Sequence, residues 1–329
     1  MIRKTGIILI MLLINFSCEK SIEVKLPPVD EKIAVIGLFS TDKVFSLEIS
    51  HSKHIFDTTS TFHLDNVVVD LYENKTFIET LENKGSFFYG LKFESPSGYK
   101  CSEKNKYTIN ASATGFETVF AETIVPEPVN IVMVDTSTVI AELPDWYFGH
   151  LGPYNHPVPL LECRIRFKDL PDVHNYYTLQ VEKPYLDSRV DSSGNRNWFY
   201  NGTKQLPYVS YDQIVEYLIN NEDAIIMFEE TYNYEQVCFS DKLIDGEEYE
   251  LVILLEKNLL KGKTYFKLYS ISKEYYLFRK SLNMRPKPHY DPFAEPVQVY
   301  SNIQNGVGIF AGASFSVDSS IVFPLPDIN

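Results

Sequence analysis

Residues 32–39 (KIAVIGLF) and 44–50 (VFSLEIS) decide the fold class. The second run alternates Leu47 and Ile49 with Ser46, Glu48 and Ser50, and the first is dense in β-branched residues. Both patterns suit strands with one buried face. Outward along the chain the same signal recurs at 66–72 (NVVVDLY), 76–81 (TFIETL), 106–111 (KYTINA) and 117–124 (ETVFAETI). Turn residues separate these runs at 73–75 (ENK), 83–85 (NKG) and 113–115 (ATG). Six or seven strands in roughly ninety residues without a helical period is the pattern of an immunoglobulin-like β-sandwich. Pro126, Glu127 and Pro128 then break the pattern. The sequence therefore predicts an all-β protein with a sandwich over 31–126 and a second, larger β-rich domain over 127–329.

Strands are expected in the second region at 130–135, 160–167, 176–182, 224–229, 248–255 and 264–269. A loop rich in Pro, Gly and aromatic residues fills 143–159, and 184–223 reads as an insertion with a polar turn at 191–195. Within it, 211–219 (YDQIVEYLI) is a short helix candidate. Residues 272–283 (SKEYYLFRKSLN) carry good helix formers and stop before Pro286, so the one full helix is expected there.

Of 329 residues, 44 are acidic and 30 basic, giving a net charge of −14 and leaving nothing to neutralise a run of phosphates. A nucleic-acid partner is excluded on that ground. With 44% apolar residues the chain is neither disordered nor a multi-span membrane protein. The 15 glycines form no phosphate-cradling loop, and no cofactor motif is present, so no cofactor is expected.

The N-terminus reads as an address. Arg3 and Lys4 precede nine apolar residues, 6–14 (GIILIMLLI). At ~1.5 Å per residue these fall far short of a ~30 Å hydrocarbon core, which marks a secretory signal rather than a span. Asn15-Phe16-Ser17-Cys18 follows in the order of a bacterial lipobox, although Asn15 stands where Leu is usual. Residues 1–18 are thus expected to be a lipoprotein signal with Cys18 as the acylated residue; an ordinary secretory signal with an incidental Cys is the other reading. Residues 19–30 (EKSIEVKLPPVD) read as a tether. The location implied is a bacterial cell envelope, reached through a lipid anchor, with the membrane face left open.

Few residues point to chemistry. His51, His54 and His63 fall in one short segment with Asp57, a weak metal candidate because it lacks helical ligand spacing. Loop histidines in solvent are the plainer account of them and of His150 and His156. No Gly-x-Ser-x-Gly, Ser-x-x-Lys or His-Glu-x-x-His motif occurs, and no catalytic residue is assigned. With Cys18 given to lipid, Cys101, Cys163 and Cys238 remain. A bridge between Cys163 and Cys238 and buried free thiols are both open readings. Trp146-Tyr147-Phe148 and Trp198-Phe199-Tyr200 are the two places where three aromatics adjoin, and they are either core or partner contact; the first is the preferred anchor.

Near the C-terminus stand Asp291-Pro292-Phe293-Ala294-Glu295-Pro296, Val299-Tyr300-Ser301-Asn302-Ile303 and Asn305-Gly306-Val307-Gly308-Ile309-Phe310, after a Tyr-rich helix. This run, with Cys18-Glu19-Lys20, the strand 33–38 and Thr123-Ile124-Val125-Pro126, resembles the Bacteroidetes-type lipoproteins catalogued as domain of unknown function 4249. The resemblance implies an outer-membrane lipoprotein beside a TonB-dependent transporter and no known catalytic residue. Without the family, the run reads either as a structural clamp closing the second sandwich or as a ligand-binding loop. The function expected is a non-catalytic accessory or binding subunit of such a transporter in nutrient uptake. A surface adhesin or scaffold is the alternative, and an enzyme of unknown chemistry the third reading.

Overall fold

Alternation of buried and exposed side chains runs through the first strands: β1 (Ile33–Ser40) buries Ile33, Val35 and Phe39, and β2 (Ser46–His51) buries Leu47 and Ile49. The computed structural model describes residues 30–53, 64–87, 90–141, 158–190, 196–210, 212, 215, 224–229, 234–257, 262–283 and 298–323. Strands follow as β3 (Val68–Glu73), β4 (Thr76–Thr80), β5 (Glu82–Phe87), β6 (Gly90–Glu94), β7 (Lys106–Ser112), β8 (Val119–Ile124) and β9 (Ile131–Ala141). The second half holds β10 (Val158–Lys168), β11 (Tyr176–Val190), β12 (Arg196–Gln205), β13 (Val209–Ser210), β14 (Ala224–Glu229), β15 (Tyr234–Ser240), β16 (Glu248–Glu256), β17 (Gly262–Ile271) and β18 (Val307–Phe323). The helix α1 (Lys273–Asn283) lies where the sequence predicts it. The all-β expectation holds.

Two sandwiches share one sheet. That sheet runs β14-β15-β11-β17-β18-β1-β2-β6-β5, with β12 paired to β11. Its β1–β2–β6 part packs on the sheet β4-β3-β7-β8 through Val35, Leu47, Ile49 and Phe93 against Val69, Leu71, Tyr107, Ile109 and Val119. Its β15–β11–β17 part packs on the sheet β13-β16-β10-β9 through Phe239, Tyr177, Leu179 and Leu268 against Ile165, Phe167, Leu251 and Ile253. Residues 31–329 form one compact unit.

The strand β18 joins the two. Its first part pairs in parallel with β1, Ala34 opposite Val307 through Ser40 opposite Ala313, and its remainder pairs antiparallel with β17. Phe310 from the first part is fully buried in the first core, 4.9 Å from the Phe39 ring centroid. The Asn305–Phe310 run was expected to clamp the second sandwich, but it closes the first and leads into the second. Two glycines make this approach feasible. A Cβ at Gly306 would stand 2.7 Å from the Ile33 carbonyl oxygen, and one at Gly308, where φ is +113°, would overlap the Val35 carbonyl oxygen.

Other departures have local causes. Residues 83–85, expected as a turn, lie inside β5 as an irregularity in its pairing with β6, with Gly85 at φ +98°. Within the 184–223 insertion, β11 and β12 pair as a long antiparallel ladder. The 191–195 turn, and all of the 211–219 helix candidate except Asp212 and Val215, lie outside the described residues. On the outer face of the shared sheet, α1 buries Tyr276 against Tyr176, Cys238, Tyr269, Ile271 and Ala313, and the Tyr176 and Tyr276 rings stack at 4.6 Å. Among the described residues no helix is long and apolar enough to cross a membrane.

Candidate functional site

A cleft of about 660 Å³ opens where the end of β8, the loop after β10, and the β17–α1 junction converge. Pro126 stops β8, and Ser272 caps α1, its Oγ accepting from the Tyr275 N–H at 3.4 Å. The floor is apolar, with Ile124, Val125, Pro126, Val173 and Ile271. Ile124 and Val173 are each 55% exposed, so solvent reaches the floor. The lining is also charged, and much of that charge is paired within the chain. Lys104 pairs with Glu127 and Lys106 with Glu122, both at 2.7 Å, and the Thr123 hydroxyl donates to Glu274 at 2.9 Å. Glu274, in the first turn of α1, also suits the positive end of the helix dipole. A pocket of this size with an apolar base and a few polar groups is the form of a ligand or partner site.

One wall of the cleft is a latched pair of loops. Asn175 lines the cleft, and its N–H donates to Asp241 at 2.6 Å while its side-chain amide bonds the Val173 carbonyl at 2.8 Å. His174 Nδ1 stands 2.7 Å from the Asp241 carboxylate. Asp169 accepts from the Tyr177 hydroxyl and, at 2.8 Å, from the Gly246 N–H; Asp245 accepts from the Asp172 N–H at 3.1 Å. Burial pushes the Asp241 carboxyl above its ordinary range, against the pull of the Asn175 N–H and the His174 ring. Tyr177 is pushed well above the ordinary tyrosine range by burial and by Asp169.

Asp169, Asp241 and Asp245 each bring a carboxylate oxygen within 4.8 Å of the others, a set whose charge could attract a hard cation. The chain already supplies hydrogen bonds to all three carboxylates, and those bonds explain the cluster as a loop latch. His174 with Asp241 also has the form of a base held by a buried acid. The two aliphatic hydroxyls in the cleft lining, Thr123 and Ser272, are already engaged, by Glu274 and by the Tyr275 N–H.

The residues expected from sequence fall elsewhere. His51 ends β2 with its Nδ1 at 3.2 Å from Glu31 and at 3.1 Å from the Ser52 carbonyl. His54, His63, Cys18 and the Trp146-Tyr147-Phe148 triplet lie outside the described residues, as do His150 and His156. In the second aromatic triplet, Phe199 carries the Arg189 guanidinium 5.3 Å from its ring centroid. The Cys163–Cys238 bridge is corrected: both are buried free thiols, as is Cys101. Cys163 faces the inter-sheet core, whereas Cys238, between the inward Val237 and Phe239 on β15, faces α1 across the shared sheet. A strand's alternation keeps those faces apart. Burial pushes the Cys101 and Cys163 thiols up to about 12. Sequence reading missed His174 and Asp241, 67 positions apart; the Pro171-Asp172 and Asp245-Gly246 pairs were turn signals marking both loops.

No curated protein matches the sequence. Among solved structures, the collagen adhesin of S. aureus aligns at 6% identity over 89% of this chain and 95% of its own, with a TM-score of 0.21. The collagen-binding domain of the Erysipelothrix rhusiopathiae surface protein RspB aligns at 10% identity over 88% and 96%, with a TM-score of 0.18. Scores of this size do not define a common fold. The family model described as domain of unknown function (DUF4249) matches residues 19–319, and the chain belongs to that family.

Proposed function

We propose that this chain is a non-catalytic outer-membrane lipoprotein, anchored through Cys18, that serves as an accessory subunit of a TonB-dependent transporter, and that the cleft beside α1 is its partner contact. The cleft carries this reading. Its lining offers exposed Ile124 and Val173, and four of its charges are paired within the chain, Lys104 with Glu127 and Lys106 with Glu122. A partner surface can cover those paired charges at little desolvation cost. The lipid signal read at Cys18 supports a partner in the same membrane. A binding role also accords with three buried thiols, none of them poised as a nucleophile.

The test is crosslinking of the tagged chain in native membranes, followed by purification. A transporter should co-purify, and Ile124→Lys with Val173→Lys should reduce its yield several-fold while the melting temperature holds. If no transporter is recovered, the accessory reading fails and the adhesin or scaffold reading moves ahead. The His174–Asp241 pair favours a second reading, a hydrolase in which His174, held by buried Asp241, serves as the base. Loss of a measured hydrolytic activity in a folded His174→Ala variant would establish it.

A further inference from the structure

β8 is the last strand of the sheet β4-β3-β7-β8, so one of its edges has no strand of that sheet beside it. The hydrogen bonds show which residues face that edge. Lys106 lies opposite Ile124 in the β7–β8 pairing, yet its N–H donates to Asn74 Oδ1 at 3.0 Å and its carbonyl accepts from the Asn74 N–H at 2.8 Å. Val125, the next residue, turns toward β7: its N–H donates to the Asn105 carbonyl at 3.1 Å, and its carbonyl accepts from the Lys104 N–H at 2.8 Å. The Ile124 N–H and carbonyl therefore point outward, as do those of Phe120 and Glu122 at the same period.

The chain covers this edge only part of the way. Phe120 exchanges two backbone hydrogen bonds with Gln304, at 3.2 and 2.8 Å, and the Glu122 carbonyl accepts from Asn302 Nδ2 at 3.2 Å. At Ile124 the cover ends. Its N–H and carbonyl have no partner among the described residues, and Ile124 lines the cleft beside α1. A partner that covers the cleft takes both groups out of water. Leaving either without a hydrogen bond would cost roughly 5- to 150-fold in affinity, so the partner must bring an acceptor and a donor to one residue. One residue of an antiparallel strand brings both, whereas a helix spends its backbone groups on itself. The cleft volume of about 660 Å³ is in the range that encloses a small molecule, which suits a short segment of chain better than a folded face.

We propose, on the reading that the cleft is the partner contact, that its occupant is an extended peptide segment of the membrane partner, added antiparallel to the free edge of β8 and paired with Ile124. The segment continues the strand position that Gln304 takes at Phe120. The pairing is short, because the Glu122 carbonyl is already engaged on one side and Pro126 has no N–H to offer on the other.

The full chain carrying a photocrosslinking amino acid at Val173 supplies the readout in native membranes. Ile124→Pro deletes the edge N–H and leaves the β7 ladder intact, since that N–H is not part of it; Pro is tolerated at such edge positions. It should lower the yield of partner adduct at least about tenfold, with the far-UV spectrum unchanged. Ile124→Ala keeps the N–H and trims only the side chain, so its loss should stay under about fivefold. An adduct that survives Ile124→Pro as well as it survives Ile124→Ala keeps the partner and overturns the added strand. No adduct from the unsubstituted Ile124 chain removes the partner reading, and this proposal with it. Should Ile124→Pro fail to fold, amide exchange decides: the Ile124 N–H of the unsubstituted chain must exchange at least about tenfold more slowly in the purified complex than alone, and an unchanged rate overturns the proposal.

Discussion

Replacing Gly308 by Ala tests the seam between β1 and β18 at its tightest point. The residue has φ +113°, a backbone state that costs a side-chain-bearing residue about 1–3 kcal/mol. The new Cβ would also overlap the Val35 carbonyl oxygen, a backbone atom of β1 that cannot swing aside. Relief requires β1 and β18 to part around Val35 and Gly308, losing about two ladder hydrogen bonds worth about 1 kcal/mol each. Val35 and Phe310, both fully buried, would loosen with them. The total comes to about 3–6 kcal/mol against a stability of about 5–15 kcal/mol, enough to lower the melting temperature by roughly 10 °C. Gly115→Ala is the control: φ there is +85°, but nothing lies within 4 Å of its Cβ, so only the backbone cost of about 1 kcal/mol applies. Urea unfolding of both variants separates the two terms. If Gly308→Ala costs no more than Gly115→Ala, the close parallel pairing of β1 with β18 is wrong.

Phe310→Ala, removing a fully buried ring at the same seam, should cost about 3–5 kcal/mol in the same assay, and under about 1 kcal/mol would contradict its placement. Native Cys101, Cys163 and Cys238 should resist maleimide at neutral pH and react on unfolding in urea; rapid native labelling would contradict their burial. Because burial raises the Asp241 carboxyl, the folded chain holds that proton more tightly than the unfolded chain. The stability it brings is present at acid pH and lost as pH rises through its folded titration. Asp241→Asn should therefore gain melting temperature relative to the unsubstituted chain as pH rises above the ordinary carboxylate range, and a difference that does not change with pH would contradict the reading. Cys18→Ser should release the protein to the soluble fraction and abolish labelling by a fatty-acid probe; a variant that stays on the membrane would refute anchoring through Cys18.

Local patterns were legible where burial is local. β2, β7 and β8 bury every second residue, and this period was visible in their sequences. α1 was legible from its helix formers and from Pro286 beyond it. What the sequence hid depends on distance along the chain. The β1–β18 pairing joins positions 273 apart, and Asn175 meets Asp241 across 66. Neither leaves a period that a sequence window can detect. The glycines of the Asn305–Phe310 run were visible as points of close approach, but the backbone they approach was not. β12 was hidden for another reason: Asn197, Asn201 and Gly202 dilute its strand composition, and long pairing with β11 outweighs that weak propensity. The cleft was invisible for the same reason as the seam, because its walls come from four separated stretches of chain.

The central claim is that the cleft beside α1 meets a membrane partner. It is tested most directly by placing a photocrosslinking amino acid at Val173 in the cell, with Phe77 on β4, 52% exposed, as the control position. The account predicts a single major adduct to an outer-membrane transporter from position 173 and none from position 77. No adduct from 173, or the same adduct from both positions, would contradict it.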